Sequence, residues 1–161
     1  MEWRNAHAGD LATLTSWVRD TRQCLHWAGG KVHFPLHLPR LADEIEFMPT
    51  NAWCLCEQGE MVGFGQILRR APSRAHFARL IVAPNLRGHG YGAVLCGKML
   101  ETAMLWPDYE IATLNVFRSN LVAQALYMRM GFQAVDLAES EQRDPHVVLM
   151  VRALHDDDQQ L

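Results

Sequence analysis

No stretch of this chain approaches the roughly 18 consecutive apolar residues of a membrane span, and its opening, Met1-Glu2-Trp3-Arg4-Asn5, lacks the apolar core of a secretory leader. A cytoplasmic setting with no membrane partner is the expectation. There is no run of Lys and Arg either: 15 basic side chains stand against 18 acidic ones, a net charge of −3, which excludes the electrostatic footprint of a nucleic-acid binder. The partner should therefore be small. Cysteine is sparse, with Cys24, Cys54, Cys56 and Cys96 and no C-x-x-C pair. Cys54 and Cys56 fall on one face of a strand, a poor geometry for bonding each other, so buried free thiols are expected rather than a disulfide or a metal site. Neither an internal repeat nor a linker interrupts the 161 residues, enough for one domain to bury about two thirds of its unfolded surface. That domain is expected to span 1–155, with a disordered acidic tail at 156–161.

What is present is organised around His76 to Gly92, H-F-A-R-L-I-V-A-P-N-L-R-G-H-G-Y-G. An apolar, β-branched run meets Pro84, which cannot donate to a strand ladder, and is followed by Arg87 and by glycine at 88, 90 and 92. Beyond it Leu95, Met99, Ala103 and Trp106 recur at helical spacing. A strand thus feeds a glycine turn that opens a helix. The first N–H groups of a helix have no internal partner and the macrodipole makes that end positive, so the turn is a candidate anion site. Arg87 adds a permanent cation, and a cofactor carrying a pyrophosphate is the ligand these features suggest.

The flanking chain gives the fold class. Glu2 to Ala6 reads as a short strand. Asp10 is a candidate N-cap for one helix with an apolar stripe at Leu11, Leu14, Val18, Thr21 and Leu25, ended by Ala28-Gly29-Gly30. Lys31 to Pro39 is a loop, and Leu41 to Phe47 a second helix stopped before Pro49. Ala52 to Glu57 and Met61 to Leu68 form a hairpin about Gln58-Gly59-Glu60, and residues 75 to 82 add a third consecutive, antiparallel strand. After the helix from Ala93 to Trp106, the strand Ile111 to Phe117 should lie parallel to the central one, by a right-handed crossover. A helix over Leu121 to Met130, packing through Leu121, Ala125, Met128 and, on a neighbouring stripe, Tyr127, is capped by Gly131. Phe132 to Val135 and His146 to Leu154 close the sheet as a hairpin, with polar residues 139 to 144 between them. The class is α/β of the α+β type: a mixed, mainly antiparallel sheet of six to seven strands flanked by about four helices.

Gly88-His89-Gly90-Tyr91-Gly92-Ala93 fits the dinucleotide pattern G-x-G-x-x-A. A Rossmann unit, however, opens a run of alternating parallel strands and helices, whereas an antiparallel meander precedes this turn. No acidic residue closes the next strand either, since Asp108 and Glu110 fall at its start. Residues 80 to 92 instead resemble the acyl-CoA signature of the GNAT superfamily of N-acetyltransferases, R/Q-x-x-G-x-G/A after a strand ending in V-x-P. A second segment is similar to that family's N-x-x-A-x-x-x-Y-x-x-x-G-F helix: Asn120, Ala123, Tyr127 and Gly131-Phe132, preceded by Leu114-Asn115-Val116.

The resemblance implies acetyl-CoA as cosubstrate, no metal, and direct transfer of the acetyl group to a primary amine of a small molecule or peptide. It implies that the amides of Arg87, Gly88, His89, Gly90, Tyr91 and Gly92 hold the CoA pyrophosphate. The main chain of Leu80, Ile81 and Val82 would pair with the pantetheine arm in a gap between splayed strands, and an amide there would polarise the thioester carbonyl. Asn120 would hydrogen-bond the arm. Tyr127 lies seven residues, two helical turns, beyond Asn120. A phenol of pKa about 10 can protonate or hydrogen-bond a departing thiolate of pKa about 8.5 as its charge develops, which makes Tyr127 the candidate for proton delivery.

An acceptor ammonium must lose a proton before it attacks, and many relatives carry a central-strand Glu that this chain lacks between 75 and 82. His76 is the nearest substitute, with Glu44 and Glu46 as alternatives. Pro35 denies His33 and His37 the regular helix that would align their rings on a metal. Trp27, beside the glycine pair, is the tryptophan placed to touch an acceptor, whose recognition falls to residues 26 to 50 and the late hairpin. The missing carboxylate also supports a rival: an acyl-CoA-binding sensor or interaction domain without turnover. A homodimer is the assembly to test, two-fold dimers being the commonest soluble oligomers.

Overall fold

The computed structural model describes residues 1–135 and 144–155. The tail at 156–161 and all of the polar connection 139–144 except Asp144 lie outside the described residues. Among those described, seven strands form one sheet: β1 (Glu2–Asn5), β2 (Ala52–Glu57), β3 (Glu60–Ala71), β4 (Arg74–Val82), β5 (Ile111–Phe117), β6 (Gln133–Val135) and β7 (Val147–Ala153), in the order β1-β2-β3-β4-β5-β7-β6. Five α-helices accompany them: α1 (Leu11–Trp17), α2 (Thr21–Ala28), α3 (Leu38–Glu44), α4 (Tyr91–Met104) and α5 (Leu121–Arg129). None is long and apolar enough to cross a membrane. The β1–β2, β2–β3, β5–β7 and β6–β7 pairs are antiparallel, and β4–β5, whose connection runs through α4, is parallel.

The extra helix has a local cause. The single helix expected from Leu11 up to the Ala28-Gly29-Gly30 stop breaks at Val18, which is extended and buried, and Asp20 restarts it as the N-cap of α2, its Oδ1 accepting from Gln23 N at 2.7 Å. The restart changes the buried face, so Cys24 and Trp27 are inside and Leu25 is exposed. Asp10 does not cap α1 through its side chain; its carboxylate takes both Arg4 guanidinium nitrogens, at 2.8 and 2.9 Å, and His7 N at 2.9 Å. Helix α3 starts three residues earlier than the sequence pattern suggests because Pro39 suits a first turn, and it ends at Glu44 because Glu46 takes φ 55.

The chain contacts divide into two compact units, Met1–Gln66 with Ala78–Leu95, and Ile67–Phe77 with the described part of Cys96–Leu161. In the first, Leu11, Leu14 and Trp17 of α1, Cys24 and Trp27 of α2, and Leu41 and Ile45 of and after α3 pack on Cys54, Phe64 and Ile81 of the strands. Gln58 and Gly59, at φ 52 and 82, supply the two left-handed residues of the β2–β3 hairpin turn. In the second, the buried side chains include Phe77, Cys96, Met99, Ala103, Leu114, Phe132 and Met150, while Trp106, expected on the α4 stripe, lies past the helix end and is exposed. The packing face of α5 is turned from the one anticipated: Leu121, Ala125 and Met128 are exposed, and Ala123, Leu126, Tyr127 and Met130 are half-buried. All four cysteines are buried free thiols, and burial raises each thiol, that of Cys96 to about 12.

Candidate active site

In the first unit β4 runs out at Val82, a single 3₁₀ turn covers Pro84–Leu86, and the chain turns through Gly88 (φ 79) and Gly90 (φ 88) into α4. A Cβ at either glycine would meet nothing within 4 Å, so glycine is required there for backbone angle and not for space. The 14-residue α4 begins at Tyr91, and its first amides have no carbonyl a turn earlier to bond. Arg87 folds back so that Nε donates to Val82 O at 3.1 Å. Partial burial and the like charge of Arg19 pull the Arg87 guanidinium below its ordinary value. Two guanidinium groups that repel each other are stabilised by an anion, and a helix N-terminus favours negative charge in the same way. Tyr91 fixes the start of α4 to the end of β2, its hydroxyl donating to Glu57 Oε2 at 2.5 Å, a bond that also raises the phenol pKa.

The central strand is interrupted just where Leu80, Ile81 and Val82 begin. Its parallel ladder with β5 ends at Phe77↔Leu114, and two residues later Arg79 takes φ 55, a left-handed angle that a non-glycine residue adopts at a cost of order 1–3 kcal/mol. Four groups hold that conformation. Trp27 Nε1 donates to Arg79 O at 2.9 Å; Arg79 Nη1 donates to Ile45 O at 2.9 Å and to Gln66 Oε1 at 3.0 Å; Glu46 Oε2 lies 3.7 Å from Arg79 Nη2. Gln66, fully buried, completes the set by donating to Ile45 O at 3.0 Å and to Asn51 Oδ1 at 3.2 Å.

In the second unit Tyr127 packs edge-on against Phe132, with ring centroids 6.1 Å apart, and Phe132 stands in the same relation to Phe77 at 6.0 Å. Burial, and secondarily the neighbouring Cys96, push the Tyr127 phenol well above its ordinary value. It is therefore a protonated hydroxyl throughout the neutral range, a donor rather than a base. Asn120 is the N-cap of α5, its Oδ1 accepting from Ala123 N at 3.2 Å. That cap occupies the amide oxygen, and the NH₂ end is the part suited to meet a ligand. His76, half-buried on β4, has Nδ1 2.8 Å from the hydroxyl of buried Thr113.

The other candidates separate. Glu44 Oε2 accepts from His33 N at 3.4 Å, and Glu46 is held by Arg79. His33 and His37 are exposed, and no group of three potential metal ligands occurs among the described residues. Glu57, Gln66 and Arg79 were not anticipated. Their one signal in the sequence is polarity out of place: Arg79 and Gln66 stand inside apolar strand runs, where a charged or amide side chain requires a dedicated partner.

Comparison with known proteins places this geometry. The family described as the Acetyltransferase (GNAT) family matches residues 14–132. A UPF0039 protein of Schizosaccharomyces pombe is 28% identical over 105 residues, which cover 65% of this chain and 69% of that protein. The spermidine N-acetyltransferase of Vibrio cholerae, solved in complex with CoA and spermine, is 19% identical with a TM-score of 0.73 over 95% of each chain. The ribosomal-protein-alanine N-acetyltransferase of Brucella melitensis is 17% identical with the same TM-score of 0.73, over 95% of this chain and 99% of that one. At these identities the solved structures establish a shared fold.

Proposed function

Because this chain belongs to the acetyltransferase (GNAT) family, it is an acyltransferase that takes its acetyl group from acetyl-CoA, and we propose that the acceptor is a primary amine of a small molecule or peptide. The observation that carries this reading is the left-handed Gly88–Gly90 turn delivering bare amides and Arg87 to the start of α4. In this proposal the amides of Arg87 to Gly92 grip the pyrophosphate, the main chain of Leu80 to Val82 pairs with the pantetheine arm, and the Asn120 amide hydrogen-bonds that arm. The neutral amine nitrogen bonds to the acetyl carbonyl carbon, the carbon–sulfur bond breaks, and Tyr127 protonates or hydrogen-bonds the departing sulfur; the proton that the new amide nitrogen sheds returns the phenol to its neutral form or, where the phenol only hydrogen-bonds, goes to the thiolate. Burial keeps the phenol protonated, so it enters the step as a hydroxyl that donates towards the sulfur as negative charge builds there. His76, Glu44 or Glu46, directly or through water, removes the proton that the acceptor ammonium must lose. A single catalytic domain over 1–155, a cytoplasmic setting and a homodimer belong to the same proposal. The spermidine and ribosomal-protein enzymes act on amines of very different size, so their fold narrows the acceptor no further.

One observation favours a second reading, a CoA-binding domain without turnover: β4 holds no carboxylate between 75 and 82. Incubation with acetyl-CoA and a panel of polyamines, amino acids, antibiotics and peptides, following free CoA, separates the two. Acetylation of at least one amine is expected. Tight acetyl-CoA binding with no turnover on the whole panel would transfer the weight to the binding domain.

A further inference from the structure

We infer that Arg79 and Trp27 are positioning residues that fix the peptide planes of Leu80, Ile81 and Val82 for the acyl-pantetheine arm, an assignment that rests on the proposed function above. A left-handed residue in the middle of a strand breaks the alternation of N–H and C=O directions and re-aims the peptides after it. The strain persists only where the surroundings over-determine it, and here both ends of Arg79 are held. Its carbonyl accepts from the buried indole of Trp27 at 2.9 Å. Its side chain is only 7% exposed, and the guanidinium is held by the Ile45 carbonyl just past the C-terminus of α3, by the Gln66 amide oxygen and by Glu46. A carbonyl at a helix C-terminus carries partial negative charge and suits a cation, so the buried charge has compensation that does not depend on solvent. Ile81 is buried within this unit while Leu80 and Val82 are half-buried, and the anchored bend at Arg79 immediately precedes the main chain that would receive the arm.

Three of the four anchors, Trp27, Ile45 and Glu46, come from residues 26 to 50, the segment expected above to recognise the acceptor, and the fourth, Gln66, comes from β3. Trp27 leaves α2 and Ile45 follows α3, so the acceptor-side segment and the cofactor strand are cross-tied through one residue, Arg79. A lysine there can keep the charge and one bond, whereas a glycine would accept φ 55 without strain yet hold nothing. Comparing the two distinguishes anchoring from backbone angle alone.

The test uses the full chain and two ligands: acetyl-CoA, which has the arm, and adenosine 3′,5′-diphosphate, which lacks it. Trp27→Phe removes one N–H while retaining most of the ring volume, and Arg79→Gly removes the anchor while retaining the angle. In both, the Kd for acetyl-CoA should rise about tenfold, one hydrogen bond's worth, while the Kd for adenosine 3′,5′-diphosphate stays put. Arg79→Lys should recover part of the loss. If both ligands weaken alike, or neither does, the two residues are ordinary core supports and the inference is overturned. Should Arg79→Gly fail to fold, Trp27→Phe alone decides the matter. Failure of wild-type chain to bind acetyl-CoA is a different result, which removes the functional reading itself.

Discussion

Gly90 and Gly59 form a matched pair. Their φ angles are 88 and 82, and at neither would an added Cβ meet another atom within 4 Å. Replacing either by alanine imposes the same penalty, the ~1–2 kcal/mol that an L-residue loses in the left-handed region, with no steric contribution. They differ in place, since Gly59 turns the β2–β3 hairpin and Gly90 opens α4. If the left-handed shape aims the α4 amides at a diphosphate, Gly90→Ala lets the turn relax in the free chain and re-imposes the strain on binding. The Kd for acetyl-CoA should then rise by about 5- to 30-fold, that penalty converted at about 1.4 kcal/mol per decade. Gly59→Ala should leave the Kd within about twofold of wild type. Calorimetric titration reads the affinities, and thermal unfolding establishes that Gly59→Ala is destabilised by the expected amount. Wild-type affinity in Gly90→Ala, or an equal loss in Gly59→Ala, would refute the assignment of the turn.

Three further outcomes follow from the geometry. Tyr127→Phe should lower kcat by about a hundredfold or more while leaving acetyl-CoA affinity intact, as measured by steady-state turnover and titration; unchanged kcat would take Tyr127 out of the chemistry. Burial pushes the Asp10 carboxyl up, but the Arg4 hydrogen bonds, the His7 amide and the nearby charges outweigh it and hold the group at about 2. A carboxyl depressed on folding stabilises the chain fully above its unfolded pKa and loses that contribution as pH falls towards 2. Urea midpoints should therefore drop between about pH 5 and pH 2 by an amount worth about 1–2 kcal/mol after allowance for screening, and Asp10→Asn should flatten that slope. Gly131 takes φ 93, and a Cβ there would approach Arg152 Nε to 2.8 Å. Since the Arg152 side chain can swing away, Gly131→Ala should cost mainly the ~1–2 kcal/mol of backbone strain, seen as a Tm lowered by about 2–8 °C.

The sequence carried the local parts of this fold well and the long-range parts poorly, for physical reasons. Strand β2, the Gln58–Gly59 turn, β5 and the Gly131 cap are set by alternation and turn chemistry within a few residues, and they stand where the pattern puts them. The break between α1 and α2 was readable in principle, because Asp20 is as good a cap as Asp10, but a continuous apolar stripe outweighed it. The rotation of α5 was not readable, because Leu121, Ala125 and Met128 offer a second apolar face that solvent receives. In the candidate site, the glycine turn was legible because its meaning lies in backbone angles that glycine alone favours. Asn120 showed its family motif and concealed its service as a helix cap. Arg79 meets Ile45 across 34 residues and Trp27 across 52, separations at which sequence spacing has no bearing on contact.

The sealed state of the four cysteines has a practical side. Folded chain should be silent towards a chromogenic disulfide dye, because such reagents attack accessible thiolates and these sulfurs are neither exposed nor ionised at neutral pH. Every equivalent of colour developed during turnover can then be credited to the liberated cosubstrate, with no protein blank to subtract. Denatured molecules, by contrast, offer four reactive sulfurs each, so the same dye counts the fraction of chains that have come apart.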